Sequence, residues 1–484
     1  MKFDVINPGS GQVVWSVNGT DPADIAAIVE RGRQAGAWWS ALGFQGRKGR
    51  LIGWAKAIAS NIEELATIIH QEMGKPYDDA RVEVVGAIGV IMWSVSNAER
   101  VLGDREAQSP PAFETLKGIV RYRPYGVVGV IGPWNFPVMT PVGVFGFALA
   151  AGNAVVFKPS EFAPRCGEWL RDAFAKAVPE HPVLQVVTGG ADVGGALVAA
   201  QPDKLAFTGS VDTGRKVYEQ CASLMIPVLL ELGGKNAMIV AEDADIDLAV
   251  RSATFGAFQN AGQACIGLSR IIVLDKVYDE FVRKLRDQAS RLEASATGQI
   301  GPVVTQRQIN MLRDHIADAT RNGARILIDG QPKEGSRYAN PTILEGVTPK
   351  ARIWREETFA PALIVIRVSS VDEAVDVANG TEYGLGGSVF SKARGEEIAD
   401  RLRSGMTAIN SAMGFTYMPS MPFGGVGHSG IGRKHGDEGL REFARPHAIA
   451  IAESGNAHEG FGRPSQAVDG IVAGVRKALG IQND

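Results

Sequence analysis

Arg123–Lys158 runs RPYGVVGVIGPWNFPVMTPVGVFGFALAAGNAVVFK, with 34 uncharged residues between its two terminal cations. A span of that length raises the question of a transmembrane helix, which needs ~20 consecutive apolar residues. Its contents exclude one. Pro133, Pro137 and Pro141, with Asn135 and Asn153, break the stretch into pieces too short to cross a bilayer. What remains is a β-branched run at Gly126–Ile131, a proline-framed turn, a small-residue apolar segment and a second run at Ala154–Phe157. This is a buried strand, a buried helix and another buried strand.

The same alternation extends in both directions. Further β-branched runs lie at Leu184–Val187, Lys204–Phe207, Ala237–Val240, Ile271–Leu274, Arg325–Ile328 and Leu363–Val368, with helix-like stretches between them. That order predicts an α/β chain with largely parallel sheets covered on both faces. Helix ends are marked as well: Asp21-Pro22 places a cap before a first-turn proline, and Ser370-x-x-Glu373 is a capping box whose helix runs toward Gly380. Phe281, Val282, Leu285 and Leu292 repeat at helical spacing on a surface helix. Composition shifts at Ser109-Pro110-Pro111 and at the Gly/Ser/His-rich 453–463 suggest boundaries. Beyond the second, Val468, Ile471, Val472, Val475 and Leu479 share one helical face.

The chain has 484 residues and a formal net charge of −3, enough for two or three domains. Without a basic block there is no electrostatic footprint for nucleic acid. Three cysteines cannot build a disulfide framework, and no secretory signal is visible, so a reducing, cytoplasmic location is expected. The seven histidines form no HxxxH or HExxH pair, so no metal site is expected. Gly425-Val426-Gly427-His428-Ser429-Gly430 has the spacing of a dinucleotide loop, but it follows Met421-Pro422-Phe423 instead of a strand and is rejected as one.

Three short segments carry candidate chemistry. Cys166 and Cys221 lie in helix-like sequence and read as packing residues, whereas Cys265 follows the polar turn Gln259–Ala264, where backbone N–H groups favour a thiolate or a neighbouring oxyanion. Glu231 ends an apolar run and precedes two glycines. It is either a buried general base or a strand-end partner of Lys235. Asn135, framed by Trp134, Phe136 and two prolines, is either a rigid oxyanion donor or part of a structural turn.

In order, Pro133–Pro137, Lys158-Pro159-Ser160-Glu161, Phe207–Ser210, Glu231–Lys235, Gly262–Cys265, Glu356–Pro361 and Pro422–Gly425 resemble the motifs of the NAD(P)-dependent aldehyde dehydrogenase superfamily, over residues 1–453. The resemblance implies two Rossmann-like parallel-sheet domains, one for cofactor (1–105 and 125–233) and one catalytic (234–442). It also implies a small protruding β oligomerisation element (106–124 and 443–453), with a tail (454–484) outside the match. Cys265 would be the nucleophile, Asn135 and the Cys265 N–H the oxyanion donors, and Glu231 the base that activates the hydrolytic water. A free acid is then the product, made through a non-acylating route.

Lys158 and Glu161 would meet the adenosine ribose. The Glu161 carboxylate repels a 2′-phosphate, so NAD is preferred, with NADP as the second cofactor. Gly209 and Ser210 would meet the pyrophosphate, Glu357 and Phe359 the nicotinamide half, and Ile131, Pro133, Trp134 and Leu232 complete the cofactor wall. Thr140, Gly143, Ile266, Phe415 and Tyr417 would line the substrate tunnel, with Met413 and Met418. Small residues at Thr140 and Gly143 suggest a roomy apolar tunnel for an aromatic or medium-to-long aliphatic aldehyde. A succinate-semialdehyde-type enzyme is the alternative, and a nucleotide-independent cysteine esterase pairing Cys265 with His428 is the reading from another class. Lys434 stands where many members carry glutamate, and Val144 where many carry lysine, so both ends of a proposed proton relay are missing. The protruding strands imply a homo-oligomer, dimer or tetramer.

Overall fold

A computed structural model describes residues 2–108, 116–452 and 465–481. The Ser109–Pro111 and 453–463 boundaries lie outside these residues. The chain enters through an antiparallel hairpin, β1 (Lys2–Ile6) and β2 (Val13–Asn18). Asp21 caps a short 3-10 turn by accepting from the Ala23 N–H, and the α-helix proper begins at Ile25. A layer of helices follows, ending in Tyr77–Leu102. That helix is long and apolar enough to cross a membrane by length and composition, yet here it packs against helices Gly43–Ala59, Ile62–Met73 and Met139–Ala151.

Two sheets organise the body. β3 (Arg105–Ala107) and β4 (Leu116–Pro124) lead into the first, where β5 (Val127–Ile131), β6 (Ala154–Lys158), β7 (Leu184–Val186), β8 (Lys204–Thr208) and β9 (Val228–Glu231) run parallel in the order β9-β8-β5-β6-β7. After four residues the chain starts the second sheet with β10 (Asn236–Val240). It adds β11 (Leu268–Leu274), β12 (Arg325–Ile328), β13 (Thr342–Glu345), β14 (Ala362–Val368), β15 (Gly386–Phe390) and β16 (Met406–Ile409) in the order β12-β13-β14-β11-β10-β15-β16. Only β12 runs antiparallel there. The two-residue strand β17 (Gly430–Ile431) then returns to the first sheet and pairs antiparallel to β9, Gly430 opposite Glu231. β18 (Ala444–Ala452) lies antiparallel along the whole of β4, whose other side carries β3.

The stretch with which the sequence opens is a βαβ unit. β5 is buried at every position but its last, and the following helix Met139–Ala151 is buried nearly all round. It stops at Gly152, whose φ of 104° suits a residue without a side chain. Ser370 accepts from the Glu373 N–H as expected of a capping box, although the Glu373 carboxylate reaches back to Ser369. The helix carrying Phe281 and Leu285 ends at Ala289, so Leu292 lies beyond it. The tail forms a helix, Ser465–Ala478, with Val468, Val472 and Val475 exposed along it and Leu479 exposed just past its end.

Candidate active site

In the first sheet the chain proceeds from β5 toward β6 and β7, and from β8 toward β9 on the other side. The carboxyl ends of β5 and β8 therefore flank the point where strand order reverses, which is where open α/β sheets bind ligands. Ile131, Lys158 and the Thr208-Gly209 step lie at this edge, and Ile131 packs with Phe207 and Leu232 beneath it. Ser210 caps the helix Val211–Ser223, so its free N–H groups face the same crevice. The Lys158 ammonium is buried and donates to the Pro159 carbonyl at 3.0 Å, leaving two of its three protons to other acceptors. Burial lowers its affinity for its proton, against the nearby carboxylates of Glu161 and Asp192. Glu161 is exposed, with Ser160 Oγ 3.2 Å away. A switch-point crevice, a capped helix N-terminus and a half-satisfied lysine fit a dinucleotide.

At the mouth of this crevice Trp134 meets Phe359 edge-on, ring centroids 5.5 Å apart, with Pro133 beside it half-buried. Phe359 has a φ of 54°, a costly conformation for an aromatic residue that fixes the ring's direction. Glu357 accepts from the Gly234 N–H at 3.0 Å, and burial pushes its carboxyl up to about 7. A Cβ at Gly233 would lie 2.3 Å from Glu357 Oε2, so a side chain there would displace the Glu357 carboxyl.

The reaction centre is assembled from three segments. Asn260, Ala261 and Gly262 all have positive φ (49°, 55° and 68°), so the chain before Cys265 coils left-handed for three residues. Gly262 is required there, because a Cβ would come 2.5 Å from the Ala360 carbonyl oxygen. Gln263 fastens the turn from inside: its amide donates to Asn260 and Pro302 carbonyls and accepts from the Val304 N–H. The Asn135 amide donates to the Gln263 carbonyl at 2.9 Å, leaving its second proton for a ligand. The Asn135 carbonyl is in turn gripped by Asn260 and by the Lys75 ammonium, each at 3.0 Å. Lys75 is buried against Glu83 at 2.5 Å, and Glu83 accepts from the Val138 and Met139 N–H groups. From the third segment, Asn236 donates to the Cys265 carbonyl at 2.8 Å.

Glu231 ends β9, is 4% exposed, and has an Oε1 with no hydrogen-bond partner. Lys235 Nζ is unpartnered too, so the pairing of these two that the sequence left open does not form. Burial pushes Glu231 up to about 7, with Lys434 the strongest charge opposing the shift. Cys265 departs from expectation. Burial pushes its thiol up to about 12, and the Glu231 and Glu357 carboxyls add to this against Lys434 and a hydrogen bond from the Ile266 N–H. The resting sulfur is therefore a thiol, and the turn alone does not make it a thiolate. Cys166 and Cys221 are buried in the core.

The tunnel wall needs two corrections. The space expected at Gly143 is taken by His435, whose Nε2 sits 2.7 Å from where a Cβ would be. Its ring stacks on Phe147 and meets Phe423 edge-on, and neither ring nitrogen has a partner. On the other wall Met413, Phe415 and Ile266 are buried, but Tyr417 is 65% exposed and Met418 is also exposed, so these two belong to the rim. Thr140 is half-buried in the first turn of its helix. Val144 is fully buried in the core. Sequence reasoning overlooked His435, since its relevance depends on a loop closing over a glycine almost 300 positions away. His428, the base an esterase reading requires, points at Glu382 and Arg215 on the surface instead of at Cys265. The rejected glycine-rich segment meets β9 through Gly430 and carries a 3-10 turn at Gly427–Ser429, but it opens no α-helix. Among the described residues no cluster of metal-binding side chains occurs.

The sequence model of the aldehyde dehydrogenase family matches residues 1–449. The chain belongs to the aldehyde dehydrogenase family. It is an oxidoreductase of the NAD(P)-dependent aldehyde dehydrogenase class, and its two parallel sheets are those of the family. Among its relatives is 4,4′-diapolycopene aldehyde oxidase of Methylomonas sp., 35% identical over 447 residues, covering 91% of this chain and 84% of that one. A Mycobacterium tuberculosis protein provisionally named succinate-semialdehyde dehydrogenase (NADP+) 2 is 35% identical over 453 residues, covering 92% and 87%. The crystal structure of an NAD-dependent aldehyde dehydrogenase from Sinorhizobium meliloti superposes with a TM-score of 0.90 at 32% identity, covering 94% of this aldehyde dehydrogenase and 92% of that chain.

Proposed function

We propose that this aldehyde dehydrogenase oxidises an apolar aldehyde to the free carboxylic acid with NAD, NADP serving as second cofactor, through a thioester on Cys265. The convergence of Cys265, the half-satisfied Asn135 amide and the unpartnered Glu231 carboxyl in one buried pocket carries this reading. The Cys265 thiol passes its proton to solvent water as its sulfur bonds to the aldehyde carbon. The carbonyl oxygen becomes an oxyanion, held by the open Asn135 N–H and the Cys265 backbone N–H. Lys158, Glu161, Gly209, Ser210 and Glu357 would hold the dinucleotide, which would supply the hydride acceptor. Glu231 then takes a proton from water as the oxygen attacks the thioester, and the Cys265 sulfur leaves.

Met413, Phe415 and Phe423 give the tunnel an apolar, aromatic wall, which favours an aromatic or medium-to-long aliphatic aldehyde. A small carboxylated aldehyde is the second reading, supported by the name of the M. tuberculosis relative. A kinetic screen of aromatic, aliphatic and carboxylated aldehydes with each dinucleotide tests both. Highest kcat/KM for aliphatic or aromatic substrates with NAD is expected, and a preference for succinate semialdehyde transfers the assignment to the second. The protruding strands, with their unpaired outer edges, support a homo-oligomer.

A further inference from the structure

Lys434 is 5% exposed, and its ammonium has no carboxylate or carbonyl partner among the described residues. Its one close contact is the face of Phe423, 4.4 Å from the ring centroid. Burying a carboxyl oxygen without a donor is costly, and Glu231 Oε1 is such an atom. The two side chains lie in the same pocket. The backbone of Lys434 is paired to that of Phe423 in both directions, 2.8 and 2.6 Å. A Cβ on the next residue, Gly424, would lie 3.0 Å from Glu231 Oε1. Gly430 is in register with Glu231, and the Leu232 N–H donates to Ser429, so the whole 423–434 loop lies against the end of β9.

We propose that Lys434 is the countercharge of the reaction centre, a positioning residue whose ammonium is shared by the Glu231 carboxylate and the Cys265 sulfur. This rests on the function proposed above. Water gives its proton to Glu231 during deacylation, and Lys434 steadies the carboxylate before that transfer and the departing thiolate after it. The other charges facing these groups are already engaged. Arg433 donates to the Gly425 and Gly432 carbonyls, Glu442 is paired with Lys204, and Glu357 holds the Gly234 N–H. His435 beside it is held neutral by burial and by Lys434 itself. Lys434 is also the strongest charge favouring the ionised forms of both Glu231 and Cys265.

The test compares the wild type with Lys434→Met, Lys434→Gln and Lys434→Arg, circular dichroism confirming the fold of each. Alkylation of Cys265 by iodoacetamide, with Cys265→Ser as background, is followed against pH without substrate or dinucleotide. Steady-state aldehyde oxidation is followed against pH in parallel. Both neutral variants should slow alkylation at pH 8 by about tenfold, the equivalent of one pH unit. They should also move the acidic limb of kcat upward by about one unit, with Lys434→Arg restoring both. The proposal is overturned by alkylation and kcat profiles that stay at the wild-type pH. It is equally overturned by a loss uniform across pH that Lys434→Arg does not restore, or by a change confined to KM for carboxylated aldehydes. The alkylation arm reads Lys434 even if wild type oxidises no aldehyde, so the two readings fail separately.

Discussion

At the residue scale, the chemistry depends on three side chains in different electrostatic conditions. Cys265→Ser should abolish aldehyde-dependent NADH formation while dinucleotide binding, followed by tryptophan fluorescence, is retained. Asn135→Ala should lower kcat by about 10²–10³, the usual loss for one oxyanion donor, with steady-state kinetics as the check. Glu231 acts as a base only when ionised, and burial has moved its carboxyl to about 7. Turnover should therefore fall about tenfold per unit as pH drops below 7 and level off above it, because the protonated fraction grows in that direction. Glu231→Gln should keep a first burst of NADH and then stall. These three residues stood out in the sequence because a cysteine in a glycine turn, an acid at a strand end and an amide among prolines each break their local pattern. His435 did not stand out, and Lys434 did so only as a departure from the glutamate that many family members carry. Their burial is created by a loop folding back onto β9 from 200 residues downstream, which no local pattern reports.

At the scale of elements, the left-handed turn before Cys265 and the Lys75–Glu83 pair serve one purpose from opposite sides: they hold the Asn135 and Cys265 backbones in register. Breaking a buried ion pair from one side costs about 3–5 kcal/mol. Lys75→Met should therefore lower stability to urea by an amount of that order and reduce kcat more than KM, as the loop bearing Asn135 loosens. The strands of the first sheet were legible because a strand covered on both faces is an unbroken apolar run. In the second sheet β13, β15 and β16 were not. Gly386-Gly387-Ser388-Val389-Phe390 is too short and too rich in glycine to announce itself, and becomes a strand because β10 and β16 pair with it from both sides.

At the scale of the molecule, β3 and β18 leave the free edges of their small sheet unpaired among the described residues, and the tail helix shows an apolar stripe to solvent. Unpaired edges and exposed apolar stripes are surfaces on which copies of a chain associate. Deleting residues 454–484 should reduce either the assembly mass in light scattering or the thermal midpoint. If both are unchanged, the tail has no part in assembly. The sequence indicated that the tail stands outside the family match and that the protruding strands belong to it, but the register of β4 and β18, between residues some 320 positions apart, emerges only in three dimensions.

The four residues between β9 and β10 give the enzyme a timing constraint. Glu231 closes one sheet and Asn236, which clamps the Cys265 carbonyl, opens the other, so the base and the nucleophile's support belong to different rigid layers joined by Leu-Gly-Gly-Lys. A bulky substrate that pries the layers apart changes the alignment of water attack before it changes its own binding. Misfit aldehydes should thus be captured and acylate the enzyme quickly, then leave it slowly, so selectivity is exercised on release more than on entry.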